Sequence, residues 1–540
     1  MKRITLIKTS FLLSLLLFLP IALNAQLTAV VASGLPNIGR GEMRIADFNN
    51  DGNLDVLIIG QTTAYSTLGG TIGFYLGNGN GTFSDATSTW FPTAPTAVSG
   101  GIVGIADYDK DGDIDFVYAG RTNAAVNVIY LYKNTGTTFE NNTTAAFTGT
   151  TAPTGFYTGS IQWGDIDNDG DLDLLINGRT YTSLTYPTSS SHRGNVLQIY
   201  KNDGDGTFTQ SYSSTSIGVC YGQALFIDFE NDGDLDIYYS GGGNIGGYMI
   251  NDGTGTYGAA TSNNTTRASN MSIADFNKDG ILDLLQSYVN TNSTPATAFR
   301  ILYNTSTTSA INLAGTSYAS AILGVGGTTS TTNMGVVSSI DYDADGDMDF
   351  TVQGMSSSSV PTTYLFLNDG ATSPTVPAFT EAALGLTGLH YGGAIWADLN
   401  NDNKPDLITF GYSDASASTS QTKVYLNETP TVNLAPSAPS SINAVTSAVA
   451  TLTWTMPVNA DDHTLNVNLT YNVRIGTTSG ASDILNTNVY GPGKYTIPSA
   501  VVKNLLDGTY YWSVQAVDGA NVAGAWATES TFVIGNPTTT

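Results

Sequence analysis

A nine-residue acidic window recurs seven times in this chain. Its first copy reads Asp47-Phe48-Asn49-Asn50-Asp51-Gly52-Asn53-Leu54-Asp55, and it begins again at Asp107, Asp165, Asp228, Asp275, Asp341 and Asp398. Side-chain oxygens fall at positions 1, 3, 5 and 9 of every copy. The first three copies supply Asp47, Asn49, Asp51 and Asp55, then Asp107, Asp109, Asp111 and Asp115, then Asp165, Asp167, Asp169 and Asp173. The fourth and fifth supply Asp228, Glu230, Asp232 and Asp236, then Asp275, Asn277, Asp279 and Asp283. The last two supply Asp341, Asp343, Asp345 and Asp349, then Asp398, Asn400, Asp402 and Asp406. With a backbone carbonyl from position 7, these donors match the preference of Ca2+ for six to eight hard oxygens at loose geometry. The windows hold 29 of the 45 acidic side chains, and four copies pack five carboxylates into nine residues. Such crowding in a folded loop is costly unless a cation sits among the charges.

The elements that must position these oxygens are strands. Position 6 is Gly in six copies and Asn403 in the seventh, residue types that tolerate the positive φ of a sharp turn. Position 8 is apolar or Pro, which pins the loop to a core. An EF-hand would carry Glu at position 12, where this chain has Ile58, Tyr118, Ile176, Tyr239, Gln286, Val352 and Thr409. Apolar and β-branched runs such as residues 101–106 and 116–120 flank the loops. Successive copies start 60, 58, 63, 47, 66 and 57 residues apart, enough for four strands each. Four strands repeated seven times predict a seven-bladed β-propeller, which shields sheet edges by radial repetition. The seventh unit stops after residue 427 without a fourth strand, while residues 27–35 match residues 379–386. The N-terminal segment is therefore expected to complete the last sheet.

Composition agrees with an all-β, exported chain. Among 540 residues there are 59 Gly and 29 Tyr and only 12 % charged side chains. A net charge of −26 repels a phosphate backbone and excludes nucleic acid as a partner. Lys2, Arg3 and Lys8 precede an apolar run over residues 11–23, the pattern of a secretory leader, with cleavage expected after Ala25. No later stretch is long and apolar enough to span a bilayer, so a soluble extracellular or cell-surface product, of bacterial type, is expected. The single Cys220 forms no intramolecular disulfide and is expected to be a buried small hydrophobe.

The windows resemble the calcium loops of the FG-GAP/VCBS repeat family, the integrin α-subunit type of propeller, over roughly residues 26–429. The Gly-Ala-Pro half of the integrin signature is absent, which places the repeats nearer the bacterial VCBS type and leaves no integrin ligand to carry over. The resemblance implies up to seven Ca2+ ions, one per loop. Beyond a linker at 430–437, residues 438–535 form a separate unit, with a tail at 536–540. Residues 451–454, 471–475, 510–516 and 531–534 alternate as strands of a sandwich. The run Leu505-Leu506-Asp507-Gly508-Thr509-Tyr510 resembles the tyrosine corner of fibronectin type III domains. The expected fold is a seven-bladed propeller followed by a fibronectin III-like β-sandwich, with Trp454 and Tyr510 in the latter's core.

No GxSxG, HExxH or GxxxxGK[ST] motif occurs, and His192, His390 and His463 are the only histidines. The ions are thus expected to be structural, strongest in the loops opened by Asp107, Asp165 and Asp341 and weakest in the seventh, with Asn403 and Pro405. The face opposite the loops carries Arg121, Arg179, Tyr181, Tyr186, Phe156, Tyr157, Tyr221, His390 and Tyr391, expected to be exposed and suited to a protein or glycan. Trp163 and Trp396 are expected in strand cores. The function expected is a secreted, calcium-dependent adhesion or macromolecule-binding module rather than an enzyme, with the C-terminal unit as a spacer. The alternative is a carbohydrate-active enzyme, a lyase or hydrolase, on the same ring.

Overall fold

The computed structural model describes residues 26–535 except 65–68, 181–194, 220–221, 242–244, 263–266, 290–298, 308–310, 319–334, 357–359, 371–376, 432, 447–448, 458–468 and 488–489. Residues 1–25, expected to be a leader, residues 536–540, Tyr181, Tyr186, His192, Cys220, Tyr221 and His463 lie outside the described residues. The chain is all-β, with two four-residue helical turns, Thr87–Trp90 and Thr143–Ala146, as the helices among the described residues. No helix among them is long and apolar enough to cross a membrane.

Each acidic window joins the first and second strands of a four-stranded antiparallel sheet. In the second repeat these are Val98–Ala106, Asp115–Thr122, Asn127–Asn134 and Phe139–Asn141, paired in that order. The second strands all begin on position 9 of the window: Asp55–Gln61, Asp115–Thr122, Asp173–Arg179, Asp236–Gly241, Asp283–Val289, Asp349–Met355 and Asp406–Tyr412. They read as near-continuous apolar runs because neighbouring sheets cover both their faces. The strand Leu27–Ala29 pairs with Ser420–Asn427, Leu27 opposite Asn427, so the N-terminal segment supplies the fourth strand of the seventh sheet.

A hydrophobic cluster fills each gap between consecutive sheets. Phe74, Trp90, Phe116 and Phe139 join the first and second, and Phe276, Phe299, Phe350 and Phe366 join the fifth and sixth. Val56, Ile58, Ile408 and Phe410 join the seventh back to the first. The first strands of all seven sheets line a single cavity of about 670 Å³. The arrangement is a propeller-like repeat of four-stranded sheets.

Residues 440–534 form two further sheets around one core that includes Trp454, Tyr471, Trp512 and Phe532. One sheet pairs Ser440–Thr446, Ala450–Thr455 and Ser499–Val502; the other orders Leu485–Asn486, Thr470–Gly476, Gly508–Val517 and Ser530–Ile534. Tyr510 is buried and its hydroxyl donates to the carbonyl of Leu506 at 2.9 Å, the local bond the sequence leads one to expect. This unit is not a detached spacer. Its loops close the shared cavity at the acidic end, with Tyr490, Lys494 and Gly519 among the lining residues.

Candidate metal centres

Every acidic window folds in the same way because its own carboxylates organise its backbone. The position 1 carboxylate accepts N–H groups from positions 5 and 6: Asp51 and Gly52 donate to Asp47 at 3.0 and 2.9 Å, and Asp345 and Gly346 to Asp341 at 3.2 and 3.0 Å. Position 5 accepts the N–H of position 7, as Asp171 donates to Asp169 at 3.0 Å. Position 9 is the hub. One oxygen takes the N–H of position 2, as Tyr342 gives to Asp349 at 3.0 Å, and the other takes the N–H that ends the third strand, Asn368 at 2.8 Å. Position 6 has φ between 83° and 94° in its six glycines and 63° in Asn403, as its composition implies.

The sequence reading missed a second left-handed residue. Position 4 has positive φ in all seven copies: Asn50, Lys110, Asn168, Asn231, Lys278, Ala344 and Asn401. Four are Asn, the residue type that visits this region most readily, and that was the available signal. The turn points these side chains at the neighbouring loop. Asn50 Nδ2 donates to Asp113 at 2.9 Å, Asn168 to Asp234 at 2.8 Å, and Asn401 of the last repeat to Asn53 of the first at 3.1 Å. Lys110 pairs with Asp171 and Lys278 with Asp347 in the same positions.

Also missed was the Asn at the end of the third strand, or in the fourth repeat two residues past it, in repeats two to seven: Asn134, Asn202, Asn251, Asn304, Asn368 and Asn427. Its Nδ2 donates to position 2 of the preceding loop, from Asn134 to Phe48 at 2.8 Å and from Asn304 to Phe229 at 3.0 Å. Each Asn thus bolts its own loop to its neighbour's. The first repeat has Gly77 at the equivalent place, whose N–H still donates to Asp55 at 2.9 Å. Replacing the fully buried Asn304 by Ala should cost about 2–4 kcal/mol, because the Phe229 carbonyl and the Ser306 N–H that bonds its Oδ1 at 3.0 Å both lose a buried partner. Chemical denaturation in saturating Ca2+ measures this; a loss under about 1 kcal/mol would discount the bolt.

In three loops the carboxylates at positions 1, 3 and 9 converge, with ligand atoms all within 4.8 Å of one another: Asp107, Asp109 and Asp115; Asp165, Asp167 and Asp173; Asp341, Asp343 and Asp349. These are the loops expected to be strongest. Position 5 (Asp111, Asp169, Asp345) is outside the triads. Repeats one, five and seven place Asn49, Asn277 and Asn400 at position 3, and in the first and seventh that amide bonds position 5, Asn49 to Asp51 at 2.9 Å and Asn400 to Asp402 at 3.2 Å. In the fourth, Glu230 hydrogen-bonds Asp236, whose pKa burial and this contact push up to about 9.

The donor set fits a hard divalent cation. The buried oxygens Asp107 Oδ1, Asp109 Oδ1, Asp167 Oδ1 and Asp343 Oδ1 make no hydrogen bond among the described residues, which is costly for an acceptor unless an ion completes it. Burial, reinforced by neighbouring carboxylates, raises Asp55 and Asp275 to about 7, Asp107 and Asp165 to about 6, and Asp283 to about 8, and drives Asp115, Asp341 and Asp349 well above the usual range. In the second and third loops a lysine contributes positive charge: Lys133 bridges Asp109 and Asp111, and Lys201 pairs with Asp167 at 2.9 Å.

The C-terminal unit touches four of these loops. Asn486 Nδ2 donates to Asp107 Oδ2 at 2.7 Å, and the backbone N–H of Asp341 donates to the Gly519 carbonyl at 2.9 Å. Asp398 N–H donates to the Tyr490 hydroxyl at 2.9 Å. The buried Lys494 ammonium partly offsets the upward push on Asp165.

The face opposite the loops differs from the sequence expectation. Phe156, Tyr157, Arg121, Arg179 and His390 are buried rather than exposed, with Arg121 and Arg179 only 4 % and 2 % accessible. The first strands carry bulges there, between Ser99 and Ile102, Tyr157 and Ser160, and His390 and Gly393, which turn these side chains inward. Trp396 is in the core, and Trp163 is partly buried against the neighbouring cluster.

Comparison with known proteins bears on the loops directly. No curated protein matches the sequence. Among solved structures, the chain is similar to the extracellular domain of the one-component system BT4673 of B. thetaiotaomicron, at 8 % identity and a TM-score of 0.38, covering 95 % of this chain and 58 % of that one. It is similar too to the extracellular domain of the hybrid two-component system BT3049 of B. thetaiotaomicron, at 10 % identity and a TM-score of 0.38, covering 94 % and 57 %. The chain spans less than two thirds of the length of either. Residues 47–118, 107–176, 228–285 and 341–409 each match the FG-GAP-like repeat, each stretch running from the first Asp of one window past the last Asp of the next. All seven acidic windows therefore lie within stretches that match the FG-GAP-like repeat.

Proposed function

We propose that this chain is an exported binding module whose seven repeat sheets are the blades of a closed propeller held by structural Ca2+. Each acidic window seats one ion through positions 1, 3, 5 and 9 with the position 7 carbonyl, and the residues concerned are those named from the sequence. The C-terminal unit is a fibronectin III-like sandwich docked over the ion-binding end, which leaves the opposite face to take an extracellular protein or glycan. The observation that carries this reading is the set of buried, unsatisfied carboxylate oxygens in the second, third and sixth loops. Solvation of such groups is replaced by a cation far more cheaply than by nothing. The cations serve stability and not turnover, because the same loop is repeated around the ring rather than gathered at one cleft.

The experiment is metal content per chain by native mass spectrometry after dialysis against millimolar Ca2+, followed by a glycan and protein array with and without chelator. At least four ions per chain and cation-dependent capture without new reducing or unsaturated ends are expected. Fewer than about four ions removes the structural-ion account, and release of cleaved sugar would replace the binding module with an enzyme.

A further inference from the structure

We infer that the end of the ring's central cavity closed by the C-terminal unit is a binding site for a small amphipathic carboxylic acid, its apolar body along the first strands and its carboxylate on Lys494 and Tyr495. The inference goes beyond the proposed capture of a macromolecule and rests on that reading only for the Ca2+ in the third loop.

The walls suit an apolar body. The cavity of about 670 Å³ falls within the roughly 300–1,000 Å³ of ordinary small-molecule sites. Ile105, Phe226, Ile273 and Ile395, from four different sheets, lie two or three residues before position 1 of their windows. They stay half-buried inside the ring, so the surface they retain faces the cavity. Met43 and Met271 add side chains that adapt to the shape of an occupant. Two of the polar contributions are already engaged: Arg44 pairs with Glu42 at 2.5 Å, and the hydroxyls of Ser272 and Ser339 bond each other at 2.6 Å.

The unmatched groups at the closed end are donors. The Lys494 ammonium, the Tyr495 hydroxyl and the Trp396 indole N–H all belong to lining residues, are buried, and make no hydrogen bond among the described residues. Buried donors are costly without an acceptor, and an ammonium most of all. The segment that carries two of them is fixed in place. Tyr471 and Tyr495 exchange backbone hydrogen bonds at 2.8 and 3.0 Å, and the Gly493 N–H donates to Thr470 Oγ1 at 2.6 Å. A Cβ on Gly493 would come within 2.4 Å of the Tyr471 backbone, so this close seat needs a glycine.

The carboxylates at this end are engaged elsewhere. Asp165, Asp228 and Asp275 each accept the N–H groups of positions 5 and 6 of their own loops. Asp518 accepts from Asn433, Ala520 and Val522. Asp165 and Asp173 attract the Lys494 ammonium but do not hydrogen-bond it. Once Ca2+ takes those two carboxylates, the ammonium is left without a counter-charge. A ligand carboxylate supplies one, with a second oxygen for the tyrosine hydroxyl.

The test is isothermal titration of the Ca2+-loaded full chain with octanoate, octanamide, acetate and octyltrimethylammonium. Saturable uptake of one octanoate per chain is expected, with octanamide at least tenfold weaker and no binding of acetate or of the cation. Lys494→Met should weaken octanoate at least tenfold and leave octanamide within twofold, while Lys423→Met, on the third strand of the seventh sheet, changes neither. Ile395→Trp, which fills the cavity from the seventh sheet, should abolish uptake of both, and it decides if Lys494→Met does not fold. No binding of octanoate, equal affinity for octanamide or acetate, or undiminished binding by Ile395→Trp overturns the inference. Native mass spectrometry of the same sample counts its ions, so a chain that holds Ca2+ yet ignores octanoate sinks this site and leaves the structural-ion reading intact.

Discussion

Stripping divalent cations with EDTA should lower the melting midpoint by about 10 °C or more at neutral pH, and re-addition of Ca2+ should restore it. An extracellular site with a dissociation constant of about 0.1 mM in about 1 mM Ca2+ stabilises the folded state by roughly 1.4 kcal/mol. Seven such sites sum to about 10 kcal/mol, comparable with the whole stability of a domain. Spread over a ring of about 400 residues, that corresponds to a shift of about 10 °C. Seven divalent ions would also bring the formal charge from −26 to −12, relieving self-repulsion. The loss should not be confined to the loops. Asn486 bonds Asp107, Gly519 bonds Asp341 and Tyr490 bonds Asp398, so the C-terminal unit rests on the shape of three emptying loops. Limited proteolysis should therefore show faster cleavage near 430–437 in EDTA than in Ca2+. Scanning calorimetry with an unchanged midpoint after verified ion removal would defeat the structural-ion account.

How much of this was legible in the sequence depends on whether the information is local. The window carries its own hydrogen-bond programme: Asp47 caps the N–H groups of residues 51 and 52, and Asp55 caps that of Phe48, all within nine residues. Its period, and the apolar second strand that follows, made the four-stranded repeat readable, and the match of residues 27–35 to residues 379–386 anticipated the strand that completes the seventh sheet. What failed to show was contact between distant parts. Asn304 reads as an ordinary strand-ending Asn until its amide is found on Phe229, 75 residues earlier. Arg121 and Arg179 read as loop-end charges because alternation along a strand does not reveal a bulge in the neighbouring strand that folds Tyr157 over them. The docking of residues 484–519 on the acidic loops is complementarity between two surfaces, and neither surface announces it alone.

The sign of the pH dependence should reverse with the ion, and this separates a cation site from a merely acidic turn. In the ion-free protein Asp55, Asp169, Asp275, Asp345 and Asp406 are raised to about 7 and Asp283 to about 8, chiefly by burial. Their unfolded value is near 3.8, so between about pH 4 and 8 the folded chain holds protons that the unfolded chain has lost. Groups raised on folding stabilise the folded state at low pH, and that contribution fades as pH climbs through the folded value. In EDTA the midpoint should accordingly be higher at pH 5.5 than at pH 8. A bound cation inverts the preference, since it favours the ionised carboxylates and protons must compete with it. In millimolar Ca2+ the midpoint should be higher at pH 8 than at pH 5.5, the ion being displaced on acidification through the same window. Four melting curves, two pH values with and without the ion, decide the matter. Curves that move in the same direction in both series would mean that the carboxylates at positions 1, 5 and 9 do not hold the cation.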